Sequence, residues 1–186
     1  MRVPAPVSLF AAASIALLLG ACDEGEAQPV ARGAQVIAAP LPPEALPGCA
    51  AIAVALGDLV APLEVVDPDG ARQSADASHG LSCAWRGAGD GAALGAIIIV
   101  DTQPLTEAEM RRAGLYVADP RVAALGGFIA FPDGQLDPQA TLGPIGPQVI
   151  VGPVTVTLAG NAVGTAADVT LDRAVDAAIA VHRLMR

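Results

Sequence analysis

Three polar residues at even spacing, Asp76, His79 and Ser82, are the first place in this chain to look for catalytic chemistry. A carboxylate, an imidazole and a hydroxyl are the groups that a serine hydrolase combines. The Gly-x-Ser-x-Gly turn that exposes such a nucleophile is absent here, and the neighbouring Ser74 and Ser78 lack it too. The Ser and Gly beside His79 favour a solvated loop. We therefore predict no catalytic residue, with a hydrolase centred on Asp76 and His79 as the alternative.

Patterns that would hold a metal or a phosphate are equally sparse. His79 and His182 lie far apart in the chain, and the His-x-x-x-His spacing of a zinc site is absent. His182 falls in the last turn of a predicted C-terminal helix, where a partial positive charge is favourable, and this indicates a structural role. The Asp-x-Asp-Gly stretch at 67–70 is similar to the start of a calcium loop, but the later acidic ligands are missing, which favours a plain turn. The Gly-x-Gly at 87–89 precedes a predicted strand and does not join a strand to a helix. We predict no metal and no cofactor.

The composition argues against nucleic acid as a partner. The 186 residues carry a formal net charge of -9, and all ten basic residues are arginine. An acidic chain repels phosphate backbones and anionic lipid headgroups. Aromatic residues make up only 3% of the chain, so platforms on which bases stack are lacking.

The N-terminal segment predicts export. Arg2 precedes an apolar run over 7–19 that is too short to span a bilayer, and the run ends in Leu-Gly-Ala-Cys at 19–22. This tetrapeptide resembles the lipobox of bacterial lipoproteins. The resemblance implies that residues 1–21 are removed as a signal peptide and that Cys22 receives lipid. An ordinary signal peptide with a chance cysteine is the alternative; acidic residues after Cys22, with no Lys/Arg cluster, disfavour a plain membrane anchor.

The residues after the lipobox indicate where the protein is held. Asp23 directly follows Cys22, and this resembles the signal that keeps enteric-type lipoproteins in the inner membrane. We expect the N-terminal lipid to bind the membrane on its periplasmic face, with Asp23 favouring the inner membrane. Residues 22–47 are rich in Pro and Ala and predict a tether, and residues 48–186 predict the periplasmic domain.

With Cys22 assigned to lipid, Cys49 and Cys83 remain as an even pair in an oxidising compartment. We predict a disulfide between them; two free core thiols are the alternative. Cys49 falls on the apolar stripe of a predicted helix over 48–57. Cys83 lies on a predicted strand over 81–86, where Trp85 shares its face because the two are two residues apart.

Hydrophobic periodicity and capping signals place the other elements. Thr106 and Glu109 form a capping box for a helix that ends at Gly114, and Thr170 caps a final helix through Leu184. The unbroken apolar run at 97–100 predicts a central strand buried on both faces. Residues 71–80 predict a polar loop. Further strands are predicted over 63–66, 94–101, 115–118, 128–131 and 149–158. We predict an α+β domain with an antiparallel or mixed sheet of about five to six strands and two to three packed helices.

Cys49, the Ser-Cys-Ala-Trp strand at 82–85 and the Ala-rich closing helix are similar to uncharacterised small lipoproteins of the DUF3558-like kind. That resemblance implies a disulfide and an α+β fold, and it brings no catalytic residues. We therefore expect a non-catalytic, lipid-anchored binding or structural module. Its partner would be an unknown protein or another envelope component.

Overall fold

Alternating apolar residues build one antiparallel sheet in this protein. The computed structural model describes residues 40–186, which lie in one compact unit. The helices are α1 (Cys49–Leu56), α2 (Glu107–Ala113), α3 (Pro120–Ala123) and α4 (Leu171–Leu184). The strands are β1 (Glu64–Val65), β2 (Ala71–Ser74), β3 (Ser78–Arg86), β4 (Ala93–Asp101), β5 (Tyr116–Val117), β6 (Phe128–Ala130), β7 (Gln148–Val151) and β8 (Val154–Gly160).

The eight strands run in the order β1-β3-β4-β8-β7-β6-β5, and β2 pairs with β3 beside β1. Every pairing is antiparallel. The α+β class is confirmed, but eight strands replace the predicted five to six. The predicted strand over 149–158 is a hairpin, because Gly152 turns the chain at a φ of 57°. The predicted loop over 71–80 contains β2, whose residues are all exposed because it lies at the sheet edge.

One face of the sheet carries the core. On β4 the side chains of Leu94, Ala96, Ile98 and Val100 are buried, and α1 and α4 pack on that side of the domain. Alanines on α4, Ala174 and Ala178 among them, are fully buried and let the helix approach the strands closely. The prediction that this strand is buried on both faces is wrong: Ile97 is 40% exposed and Ile99 is 39% exposed.

Helix caps lie where the sequence places them. The Thr106 hydroxyl accepts a hydrogen bond from the Glu109 N–H, and the Thr106 N–H donates to Glu109 Oε2 at 2.8 Å. The helix ends at Gly114, in the left-handed region at a φ of 71°. Thr170 caps α4 by accepting from the Arg173 N–H. The short α3 was not predicted, although Asp119 caps it through two backbone N–H groups.

Ordered packing begins upstream of residue 48, the boundary that the sequence suggests. Leu46 is 5% exposed, and Leu41 packs against the core. An Arg72 guanidinium nitrogen donates to the Pro43 carbonyl and ties this entry segment to β2. The predicted signal peptide, Cys22 and the tether up to residue 39 lie outside the described residues. Within residues 40–186, no helix has both the length and the hydropathy to cross a membrane.

Candidate functional site

The predicted disulfide between Cys49 and Cys83 is confirmed. It has an S–S length of 1.98 Å and a Cα–Cα distance of 5.6 Å. Cys49 is the first residue of α1, and Cys83 lies in the middle of β3, so the bond joins the first helix to the sheet. Both cysteines are buried, and Trp85 is buried on the same face of β3. Because the bond is enclosed, its role is structural.

Gly70 completes the packing around the disulfide. Its φ of 69° lies in the left-handed region, which favours glycine. A Cβ at this position would lie 2.6 Å from Cys49 Sγ and 2.8 Å from the Ser82 carbonyl oxygen. The turn at 67–70 can therefore pack this closely against the disulfide only because residue 70 has no side chain.

The predicted candidates Asp76, His79 and Ser82 do not form a catalytic triad. His79 and Ser82 lie three residues apart on β3 and so point to opposite faces of the sheet. Asp76 is exposed in the turn between β2 and β3. Ser74 is the serine directly opposite His79 in the strand pair. Among residues 40–186 no side-chain hydrogen bond links Asp76, His79 and a serine.

His79 is a strand residue and not the loop residue that the sequence predicts. Its Nε2 atom is buried and has no hydrogen-bond partner within residues 40–186. Its neighbours across the sheet are Ser74 and Val100. A general base needs an orienting group and a nucleophile within hydrogen-bond reach, and the structure supplies neither to this ring.

The acidic stretch at 67–70 is a turn. The Asp69 N–H donates to Asp67 Oδ1 at 3.0 Å, and the Gly70 N–H donates to the Asp67 carbonyl at 3.2 Å. The carboxylate of Asp67 thus caps its own turn. In the part of the chain that the structure describes, no three His, Cys, Asp or Glu side chains cluster closely enough to hold a metal ion.

His182 lies in the last turn of α4, as predicted, but it is only 4% exposed. Burial lowers the pKa of His182, nearby Arg186 adds to the effect, and the hydrogen bond to Val149 opposes it. The neutral form of the ring is therefore favoured at pH 7, so His182 adds little charge to the helix end. Nε2 carries the hydrogen, because it lies 2.9 Å from the Val149 carbonyl oxygen, which can only accept.

A cavity of about 660 Å³ opens beside His182. It lies between the C-terminal end of α4, the β7–β8 turn, the 125–128 segment and the loop before α2. Ligand-binding clefts in proteins have volumes of roughly 300–1,000 Å³ and mostly apolar walls. Its walls are mainly apolar and aromatic and include Leu41, Leu105, Tyr116, Phe128, Val154 and Met185.

No pattern in the sequence indicates this cavity. Its wall residues come from six separate segments, at 41, 104–107, 116, 123–128, 151–154 and 182–186. The motif among them, the helix cap at Thr106, indicates a helix and not a binding site. His182 stands out in the sequence only as a possible metal ligand and as a helix-end residue, and neither pattern indicates a cavity. Only the order of strands in the sheet brings the loop before α2 next to the β7–β8 turn.

Comparisons with protein-family models, with curated proteins and with solved structures found no match to this chain.

Proposed function

We propose that this protein is a lipid-anchored, extracytoplasmic binding module without catalytic activity. The observation that carries the proposal is the cavity beside His182. Leu41, near the start of the described residues, forms part of its wall. The chain that leads from Cys22 joins the domain at this point. Anchor and binding cavity would then be linked by one short segment.

The disulfide supports the extracytoplasmic part of the proposal. Disulfides form and persist in oxidising compartments and are rare in the cytosol. Cys49 and Cys83 are joined and enclosed in the core. With this pair bonded, Cys22 is the remaining cysteine of the three in the chain, and it stands at the end of the lipobox-like sequence.

The anchor is tested by changing Cys22→Ser in the full chain and fractionating the producing bacteria. We expect the wild type in the membrane fraction and the variant released or unprocessed. Gln28→Ser, a matched change in the tether, should fractionate like the wild type. Mature-sized Cys22→Ser protein that is recovered with membranes as fully as the wild type would overturn the proposal.

The same preparation tests which membrane holds the protein. We propose the inner membrane in an enteric-type host, because carboxylates at Asp23 and Glu24 adjoin the lipidated cysteine. Separation by density should place the wild type with the inner membrane, and the double change Asp23→Ser with Glu24→Ser should shift it outward. Wild-type protein found wholly in the outer membrane would contradict this placement.

A further inference from the structure

Of the residues at 40–186 that line the cavity beside His182, most are apolar, and the charged ones are Glu107 and Arg186. Leu105, Leu125, Phe128, Val154 and Met185 supply hydrocarbon surface, and His182 is neutral with its Nε2 hydrogen directed to the Val149 carbonyl. An ionised group inside such walls would lose its hydration without gaining a partner. The part of a ligand that enters is therefore apolar.

Among the charged side chains of this wall within residues 40–186, Arg186 is the one without an ion pair. The Glu107 carboxylate pairs with Arg111 at 2.8 Å, and the Arg111 guanidinium also lies 3.6 Å from the centre of the Tyr116 ring. Arg186 donates to the Leu125 carbonyl at 2.9 Å. It forms no ion pair with an Asp or Glu of residues 40–186, and a guanidinium has five N–H donors. Arg186 is exposed, so its remaining donors can meet an anionic head in solvent.

We propose that the cavity binds a single acyl chain whose anionic head lies at Arg186. The chain occupies the hydrocarbon-lined interior, and a carboxylate or phosphate accepts hydrogen bonds from the guanidinium. A fatty acid and a monoacyl phospholipid share this chemistry. The inference rests on the proposed function only in taking the membrane as the source of the ligand.

The binding experiment uses the chain from Asp23 to Arg186, exported behind a cleavable signal so that no detergent is needed. This chain retains the complete described unit, with its core and disulfide. A dansylated undecanoic acid is the probe. We expect saturable, blue-shifted fluorescence with one molecule bound per chain. Fluorescence that rises without saturation would overturn the proposal.

Two adjacent exposed alanines provide a matched pair of variants. Ala123 lines the cavity and Ala124 does not, and both lie at the surface, so a larger side chain does not disturb the core. Ala123→Trp fills the cavity and should weaken probe binding about tenfold or more, equivalent to about 1.4 kcal/mol. Ala124→Trp should change it less than about twofold. Equal affinities in the two variants would overturn the proposal.

A second pair of variants tests the same cavity independently, in case Ala123→Trp does not fold. Leu105, in the cavity wall, is 40% exposed, and Val163, which is not in the wall, is 46% exposed. Leu105→Glu should abolish saturable binding, because it places a carboxylate in the apolar wall, and Val163→Glu should leave it intact. Binding retained by Leu105→Glu would contradict the assignment.

Competition identifies the head and the source. Laurate and lauroyl lysophosphatidylglycerol should both displace the probe, and the tighter competitor indicates whether a free acid or a lipid is preferred. Arg186→Gln should weaken laurate roughly fivefold and leave neutral monolaurin unchanged. Equal losses for both competitors would refute the role of Arg186. These results do not depend on the Cys22 anchor, so failure here is distinguishable from failure of the proposed function.

Discussion

At the scale of single residues, Gly70 allows its turn to pack closely against the disulfide, because it has no side chain. Gly70→Ala places a methyl group against Cys49 Sγ and the Ser82 carbonyl at a φ that disfavours alanine. We expect a loss of about 1–3 kcal/mol in the free energy of unfolding, the usual cost of overpacking a core.

Denaturant titration measures the effect of Gly70→Ala. Gly89→Ala is the matched control, because a Cβ there meets no atom within 4 Å. The control should unfold near the wild-type midpoint. If the two variants unfolded at the same denaturant concentration, the close packing at Gly70 would not contribute to the free energy of unfolding.

His182 makes stability depend on pH. Its pKa is lower in the folded than in the unfolded protein, so on acidification the unfolded chain binds the proton first. Stability is therefore fully present above the unfolded histidine pKa of about 6.5 and falls as the pH drops below that value. His182→Gln keeps an N–H for the Val149 carbonyl and removes the titration. As the pH falls from about 7 to about 5, the free energy of unfolding should fall more in the wild type than in His182→Gln. Parallel pH profiles for the two proteins would contradict this.

The residue types alone predicted part of the site. The cysteine pair was predictable, because assigning Cys22 to lipid leaves an even pair, for which an oxidising compartment favours a disulfide. The surroundings of His79 and His182 were not, because burial depends on which strand or helix covers each ring. The sequence places His182 at a helix end, where a positive charge is favourable, but it does not show that the ring is buried. Val149, on a strand far away in sequence, accepts its hydrogen bond.

At the scale of elements, α2 depends on its cap more than on packing. None of its residues is buried, so little apolar area holds the helix to the domain. Thr106→Ala removes the hydroxyl that accepts from the Glu109 N–H, which should cost about 1 kcal/mol. Because the helix opens locally, amide exchange at 110–114 should quicken about fivefold while global unfolding changes little. Gln103→Ala is the control. Unchanged exchange in Thr106→Ala would show that the cap does not limit opening.

The disulfide is the covalent link between α1 and the sheet. It closes a loop with a sequence separation of 34 residues, and cross-links of this kind restrict the unfolded chain. The double change Cys49→Ala and Cys83→Ala should lower the free energy of unfolding by about 2–5 kcal/mol. Reduced wild type should match the variant in denaturant titrations. A variant as stable as the oxidised wild type would refute the role of the bond.

Elements with local signals were predictable, and those set by neighbours were not. The capping box and Gly114 placed α2 closely, and the alternation of Val and Thr placed β8. β2 was missed because its polar residues gain their strand conformation only by pairing with β3. The half exposure of Ile97 was missed because periodicity cannot tell whether a helix covers the second face.

At the scale of the whole molecule, the chain combines a disulfide-linked domain with an N-terminal segment that resembles a lipobox. One sheet with α1 and α4 packed on one face carries the core, and the cavity lies where α4 ends. The strand order brings the wall segments of the cavity together, so local sequence patterns do not predict the cavity.

The intact mass of the full-length protein, purified from membranes of the producing bacterium, tests the central claim most directly. The account predicts a chain that begins at Cys22, carries the added mass of acyl groups, and is two hydrogens lighter before reduction than after it. A chain that begins at Met1 or at another residue without acyl mass would contradict the lipid anchor. Alkylation of both Cys49 and Cys83 without reductant would contradict the oxidised, extracytoplasmic domain.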